Sequence, residues 1–143
     1  EGAFRDAVAA YDDALATEPA FVSALANRAA ARLGIGDARG AVADTTAALR
    51  VFQTDGASDT AGPLPPPGSE KRRQWVLRAL SRRGVAYAQL GNLDDAVRDY
   101  EAACTIASTD EKLKADLETL KARRAQQVEP SGGAGGVAET KEA

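Results

Sequence analysis

The feature that most constrains this fold is a repeated alanine spacing. Ala7 and Ala14, Ala41 and Ala48, and Ala96 and Ala103 are three pairs, each spaced as i and i+7. The step from Ala7 to Ala41 is a period of about 34 residues, the signature of stacked helix-turn-helix units, because each unit can bury its apolar stripe only against its neighbours. The step from Ala41 to Ala96 is the same period lengthened by a Gly- and Pro-rich insertion. Alanines at i and i+7 share one face of a helix, where small side chains let backbones approach closely. An all-α chain follows, one that binds rather than reacts.

Composition narrows the rest. The chain has 143 residues, enough for one modest domain that buries a core by stacking helices. Its 44% hydrophobic content has only 5% aromatic residues, which favours close-packed helices over strands. With no histidine and a single cysteine, a Cys/His metal site, a histidine-based nucleophilic triad and an intrachain disulfide are all excluded, and no cofactor is expected. A net charge of -3 gives no general reason to bind nucleic acid or an anionic membrane. No apolar run approaches the roughly 20 residues that span a bilayer, and the first residues lack a signal peptide's order. A cytoplasmic location is expected. Glu1 is not an initiator methionine, so the natural product is expected to begin upstream.

Along the chain, residues 1–19 place Phe4, Ala7, Val8, Tyr11, Ala14 and Leu15 at helical spacing and read as the second helix of a half repeat whose first helix is missing. A complete repeat is expected over 20–52, with its turn at Gly36 and Asp37 and with Ala29, Ala41 and Ala48 at the seam. Residues 53–68, rich in Gly and Pro, are an insertion loop. An extended repeat over 69–108 begins at a Ser69 cap, overshoots a normal first helix by about two turns and turns at Gly91 and Asn92. A capping helix over 109–127 should bury Leu113, Leu117 and Leu120, with Ser108 and Glu111 at capping-box spacing. The tail 128–143 is expected to be disordered.

The segments Leu25-Ala-Asn27-Arg28-Ala29-Ala30 and Arg78-Ala-Leu-Ser-Arg82-Arg83-Gly84 resemble those that form most of a two-carboxylate clamp in tetratricopeptide-repeat co-chaperones. The resemblance implies a right-handed superhelix of antiparallel helix pairs, with Asn27, Ala30, Arg78, Arg82 and Val85 on its concave face. It also implies a partner: the C-terminal peptide of seventy- or ninety-kilodalton heat-shock chaperones. The physical argument runs parallel, since Arg78 and Arg82, one helical turn apart, project from one helix face and can hold paired carboxylate oxygens while the Asn27 amide donates beside them. Arg78 stands where such clamps usually carry lysine, and Arg32 and Thr45 occupy positions that are usually aromatic or apolar.

The proline-bearing insertion, Arg82-Arg83-Gly84, residues 99–103 and the charged helix after them are similar to the C-terminal repeats of dynein axonemal assembly factors, over about residues 21–126. That resemblance implies work beside chaperones in cytoplasmic preassembly of axonemal dyneins, with dynein assembly factors or axonemal subunits as further partners and an association with the cilium or flagellum. An alternative is a structural adaptor of the axoneme or another assembly.

Lys71, Arg72 and Trp75 are expected to extend the rim of the groove; a calmodulin- or membrane-type basic helix is disfavoured because Leu80, Gly84 and Tyr87 already face the repeat core. Gly34-Ile-Gly36-Asp-Ala-Arg-Gly40 has the wrong spacing for a phosphate loop and reads as a turn. Cys104 is expected to pack rather than react. No activity is expected, since the carboxylates of Asp12-Asp13 and Asp94-Asp95 are adjacent in sequence and point to different helix faces.

Overall fold

The computed structural model describes residues 2–17, 22–54 and 64–133, with side chains through 127. The described residues form α1 (Gly2–Thr17), α2 (Val22–Gly34), α3 (Ala38–Gln53), α4 (Glu70–Gln89), α5 (Leu93–Ile106) and α6 (Glu111–Gly133), and no strand is found among them. Each helix packs on the next, and α2 also touches α4. The tight turns at Gly36 and Gly91 fold α3 back on α2 and α5 back on α4, so these two pairs are antiparallel hairpins.

The alanine spacing becomes the seam of that stack. Ala41 and Ala48 on α3 and Ala96 and Ala103 on α5 are each 0% exposed, whereas Ala7 and Ala14 on α1 are half-buried. Leu113, Leu117 and Leu120 of α6 close the last hairpin and join α4 and α5 in one apolar cluster. A second cluster brings Leu15 of α1, Leu25 of α2 and Ala48 of α3 together, with Trp75 of α4 packed against it.

The turns follow local chemistry. Gly36 and Gly91 take φ of 82° and 81°, a region open to glycine at little steric cost. The Asp37 carboxylate accepts from Gly40 N at 2.9 Å and caps α3. Ser69 Oγ accepts from Arg72 N at 3.1 Å and caps α4. Two expected caps are not made. Asn92 occupies the cap position of α5, but its side chain makes no capping bond. At α6 the cap is Asp110, whose carboxylate accepts from Leu113 N at 3.0 Å; Ser108 lies too early in the turn to reach that amide.

α4 has 20 residues against 13 in α2, and the difference lies entirely at its start. Because Leu77 is the repeat equivalent of Val22, residues 70–76 are the expected two-turn overshoot. At the other end, α6 runs on to Gly133, past the boundary expected at 127, since extending an existing helix is far easier than nucleating one. Residues 134–143 of the expected disordered tail, and most of the insertion loop, lie outside the described residues.

Candidate functional site

The site is built where α2, α3 and the extended start of α4 meet. They enclose an open cavity of about 190 Å³ whose apolar lining is Val22, Ala26, Ala48, Ala79, Phe52 and Trp75 and whose polar lining is Ser23, Asn27 and Arg78. Among the described residues no carboxylate lines it. Asn27 and Arg78, expected to act together from separate hairpins, therefore share one pocket. Arg82 sits at its edge: Nη1 reaches across to α2 and donates to the carbonyl oxygen of Ala26 at 2.8 Å.

The two arginines feel one another. Arg82 is held below its ordinary pKa, first by burial and then by the positive charge of Arg78. Arg78 is exposed, and among the described residues neither arginine pairs with a carboxylate. Two guanidiniums one helical turn apart with no local counter-charge are an arrangement that an anion would relieve.

Other expected members are placed differently. Ala30 lies one turn beyond Ala26 on α2 and is not part of the cavity lining. Val85 is two turns past Arg78, ~10 Å further along the helix axis, and lines a separate groove with Tyr100 of α5 and Asp116, Leu120 and Arg123 of α6. Trp75 is a wall of the cavity rather than a rim residue, packed edge-on to Phe52 with ring centroids 6.4 Å apart. Lys71 Nζ stands 5.7 Å from the Trp75 ring centroid, and Lys71 is not part of the cavity lining. Arg72 is a brace: its guanidinium lies over the Phe52 ring at 5.1 Å and donates to the carbonyls of Phe52 and Pro65, each at 3.1 Å. It ties the end of α3, the end of the insertion and the start of α4 together, which is why it turns away from the groove.

Sequence reasoning missed the pairs that hold the hairpins. Arg28 grips Asp44 with Nε at 2.9 Å and Nη2 at 2.7 Å, and Arg83 grips Asp99 with both bonds at 2.8 Å. Both carboxylates are buried, Asp44 at 3% and Asp99 at 5% exposure. The hydrogen bonds that Arg28 donates to Asp44 hold it above its ordinary pKa, against the opposing effect of burial, and those that Arg83 donates to Asp99 act in the same way. The signal was present: the step from Arg28 to Arg83, and from Asp44 to Asp99, equals the step from Ala41 to Ala96. Phe52 was missed too, because its value depends on where the chain returns after the insertion.

Among the described residues no group of carboxylates and thiols is arranged to hold a metal, and no helix is long and apolar enough to cross a membrane. Cys104 is free and half-buried, and burial pushes its thiol up.

Residues 77–110 match the family model for the tetratricopeptide repeat. No curated protein matches the chain. The match begins at Leu77, where the structural equivalence to α2 begins, and it spans α4 from that residue, all of α5 and the turn into α6. Tetratricopeptide folds typically serve as non-catalytic scaffolds. The hairpin stack and the matched segment together identify residues 77–110 as a tetratricopeptide repeat within a helical-hairpin solenoid, a protein–protein interaction scaffold.

Proposed function

We propose that this chain is a non-catalytic co-chaperone scaffold that binds the acidic C-terminal tail of cytosolic seventy- or ninety-kilodalton heat-shock chaperones through Asn27, Arg78 and Arg82. The observation that carries this reading is a contrast of charge. Arg28, Arg32 and Arg83 are matched to buried aspartates between helices, whereas Arg78 and Arg82 stand together, unmatched among the described residues, at a cavity lined by no carboxylate. A terminal carboxylate and a neighbouring aspartate side chain would neutralise both, with the Asn27 amide donating alongside, at ~1.5–3 kcal/mol per charge-assisted contact. Work in the cytoplasm on axonemal dynein preassembly is the finer part of the proposal, and the resemblance over residues 21–126 supports it.

The test is titration of a Glu-Glu-Val-Asp peptide against the protein, with a C-terminally amidated copy as control. Binding should weaken as salt rises, should fall at least about tenfold in Arg78→Ala and Arg82→Ala, and should favour the free acid. Equal affinity of wild type and the double arginine variant would end the clamp reading. Copurification with axonemal dynein subunits from cytoplasmic extract tests the client.

A further inference from the structure

One motif in the sequence has no role in the fold. Ser108 and Glu111 stand at capping-box spacing, but the cap of α6 is Asp110, whose carboxylate accepts from Leu113 N. Ser108 and Thr109 are left in the exposed turn between α5 and α6. Ser108-Thr109-Asp110-Glu111 is then a hydroxyl followed, at the second and third residues after it, by carboxylates. An acidophilic protein kinase recognises that pattern, because cations beside its active site hold the carboxylates through charge-assisted bonds. Thr109 has a cation, Lys112, at its third position and fits less well.

The tertiary structure supplies a receiver for the phosphate. The start of α4 that has no counterpart in α2, residues 70–76, reaches the same turn, and its Glu70 and Arg73 share an open cleft of about 270 Å³ with Ile106, Ser108 and Thr109. A water molecule takes ~30 Å³ of liquid, so a phosphate group fits. Arg73 Nη2 already donates across the cleft to the carbonyl oxygen of Ile106 at 3.0 Å, while Nη1 holds Glu70 at 3.1 Å. The pair with Glu70 is weakly held, since the two side chains are 56% and 68% exposed. A phosphoserine, with nearly two negative charges and three acceptor oxygens, outcompetes one exposed carboxylate for the guanidinium. It also precedes the N-terminus of α6, where the helix dipole favours negative charge. Asp110 and Glu111 oppose it, and Lys114 offsets Glu111 at 3.6 Å.

Independently of the clamp reading, we infer that Ser108 is a phosphorylation site for an acidophilic serine kinase and that Arg73 clasps the product. Ser108 Oγ attacks the γ-phosphorus of ATP, and the new Oγ–P bond forms as the bond to the β-phosphate oxygen breaks. ADP leaves with that electron pair, and the hydroxyl proton passes to the kinase's base. The phosphate then draws the extended start of α4 onto the α5–α6 turn. Trp75 belongs to that same start, so the modification braces the segment that supplies one wall of the cavity between α2, α3 and α4.

The first arm of the experiment incubates the folded protein with a purified acidophilic serine kinase and ATP, and maps the product by mass spectrometry. Phosphate on Ser108 is expected, with none at that position in Ser108→Ala and a rate lower by about tenfold or more in Glu111→Gln, which removes the third-position charge. No phosphate at Ser108, or incorporation that ignores Glu111, overturns the site. The second arm uses protein with phosphoserine installed at position 108 during translation, so that it does not depend on the kinase. Its melting temperature should exceed that of the unmodified chain by about 2–5 °C, and Arg73→Gln, at an exposed position where the fold is not at risk, should abolish the gain. Phosphorus NMR should find the second phosphate pKa lower with Arg73 present than in Arg73→Gln, since a nearby cation favours the dianion. Equal pKa and equal melting temperature with and without the Arg73 guanidinium overturn the clasp.

Discussion

The hairpin of α2 and α3 and the hairpin of α4 and α5 have the same architecture and are stabilised by the same device, yet they fill their seams in different ways and offer different surfaces. Both carry an interhelical Arg–Asp fork, Arg28 with Asp44 and Arg83 with Asp99. In the later hairpin Gly84 gives way to a Tyr100 ring, so close that a Cβ on Gly84 would lie 2.5 Å from it. The earlier hairpin has Ala29 and Thr45 at those positions, and the Thr45 hydroxyl is satisfied by donating to Ala41 O at 2.8 Å. Volume moves from one helix to the other while their sum is kept roughly constant. Where Tyr87 lies beneath Arg83, the earlier hairpin has Arg32, which adds a second cation on Asp44 at 3.0 Å. On the concave side the pattern reverses: Ser23 and Asn27 are neutral where Arg78 and Arg82 are charged. The exposed cationic surface is therefore a property of the later hairpin, and the earlier one supplies the facing wall.

The largest effect expected from this comparison is on the forks. Removing a buried partner leaves an uncompensated charge, so Asp99→Ala, which leaves Arg83 without a carboxylate among the described residues, should destabilise by about 3–5 kcal/mol, and Asp44→Ala by less because Arg28 keeps Asp12 at 2.7 Å and Arg32 keeps Asp37 at 3.6 Å. Chemical denaturation of the two variants measures the difference; equal losses would show that Asp12 and Asp37 give the two arginines of the earlier hairpin no relief. Next come the seams. Gly84→Ala should overpack against Tyr100 and lose about 1–3 kcal/mol. Thr45→Tyr should lose a similar amount, and adding Ala29→Gly should recover part of it, turning one hairpin's solution into the other's; no recovery would mean that the two seams are not interchangeable.

Caps give a smaller contrast. Asp37 and Asn92 are equivalent positions, but the Asp37 side chain alone makes a capping bond. Asp37→Ala should lower the melting point by an amount matching about 1 kcal/mol, and Asn92→Ala should leave it nearly unchanged. The smallest effect concerns Cys104, which stands where the earlier hairpin has Leu49. Burial raises its thiol pKa, so less thiolate is present at any given pH, and alkylation under mildly alkaline conditions should be slower than that of a free thiol until the chain is unfolded.

Much of this was legible from residue spacing. Ala41, Ala48, Ala96 and Ala103 reach 0% exposure because a period in sequence becomes a period in space when each unit packs only on its neighbours. The two-turn overshoot of α4 and the leucine face of α6 were legible for the same local reason. The forks were written at the same offset but were not read, because an Arg and an Asp on successive helices acquire meaning as a pair only once those helices are known to face each other. Val85 and Arg78 share the concave stripe of one helix yet line different cavities; periodicity reports angle around a helix well, and says nothing about which cavity opens beside each turn.

What the sequence determined by itself is the repeating unit: helix lengths, most of the turns, the small residues at the seams and the cations of α4, all set by interactions within a few residues or by periodicity. What only the tertiary structure decided is the pocket that opens beside those cations. The whole insertion separates Phe52 from Trp75 in sequence, and their meeting depends on how the chain returns, with Arg72 binding both ends. Such a contact depends on the closure of a loop, and loop closure leaves no periodic trace in the residues it joins.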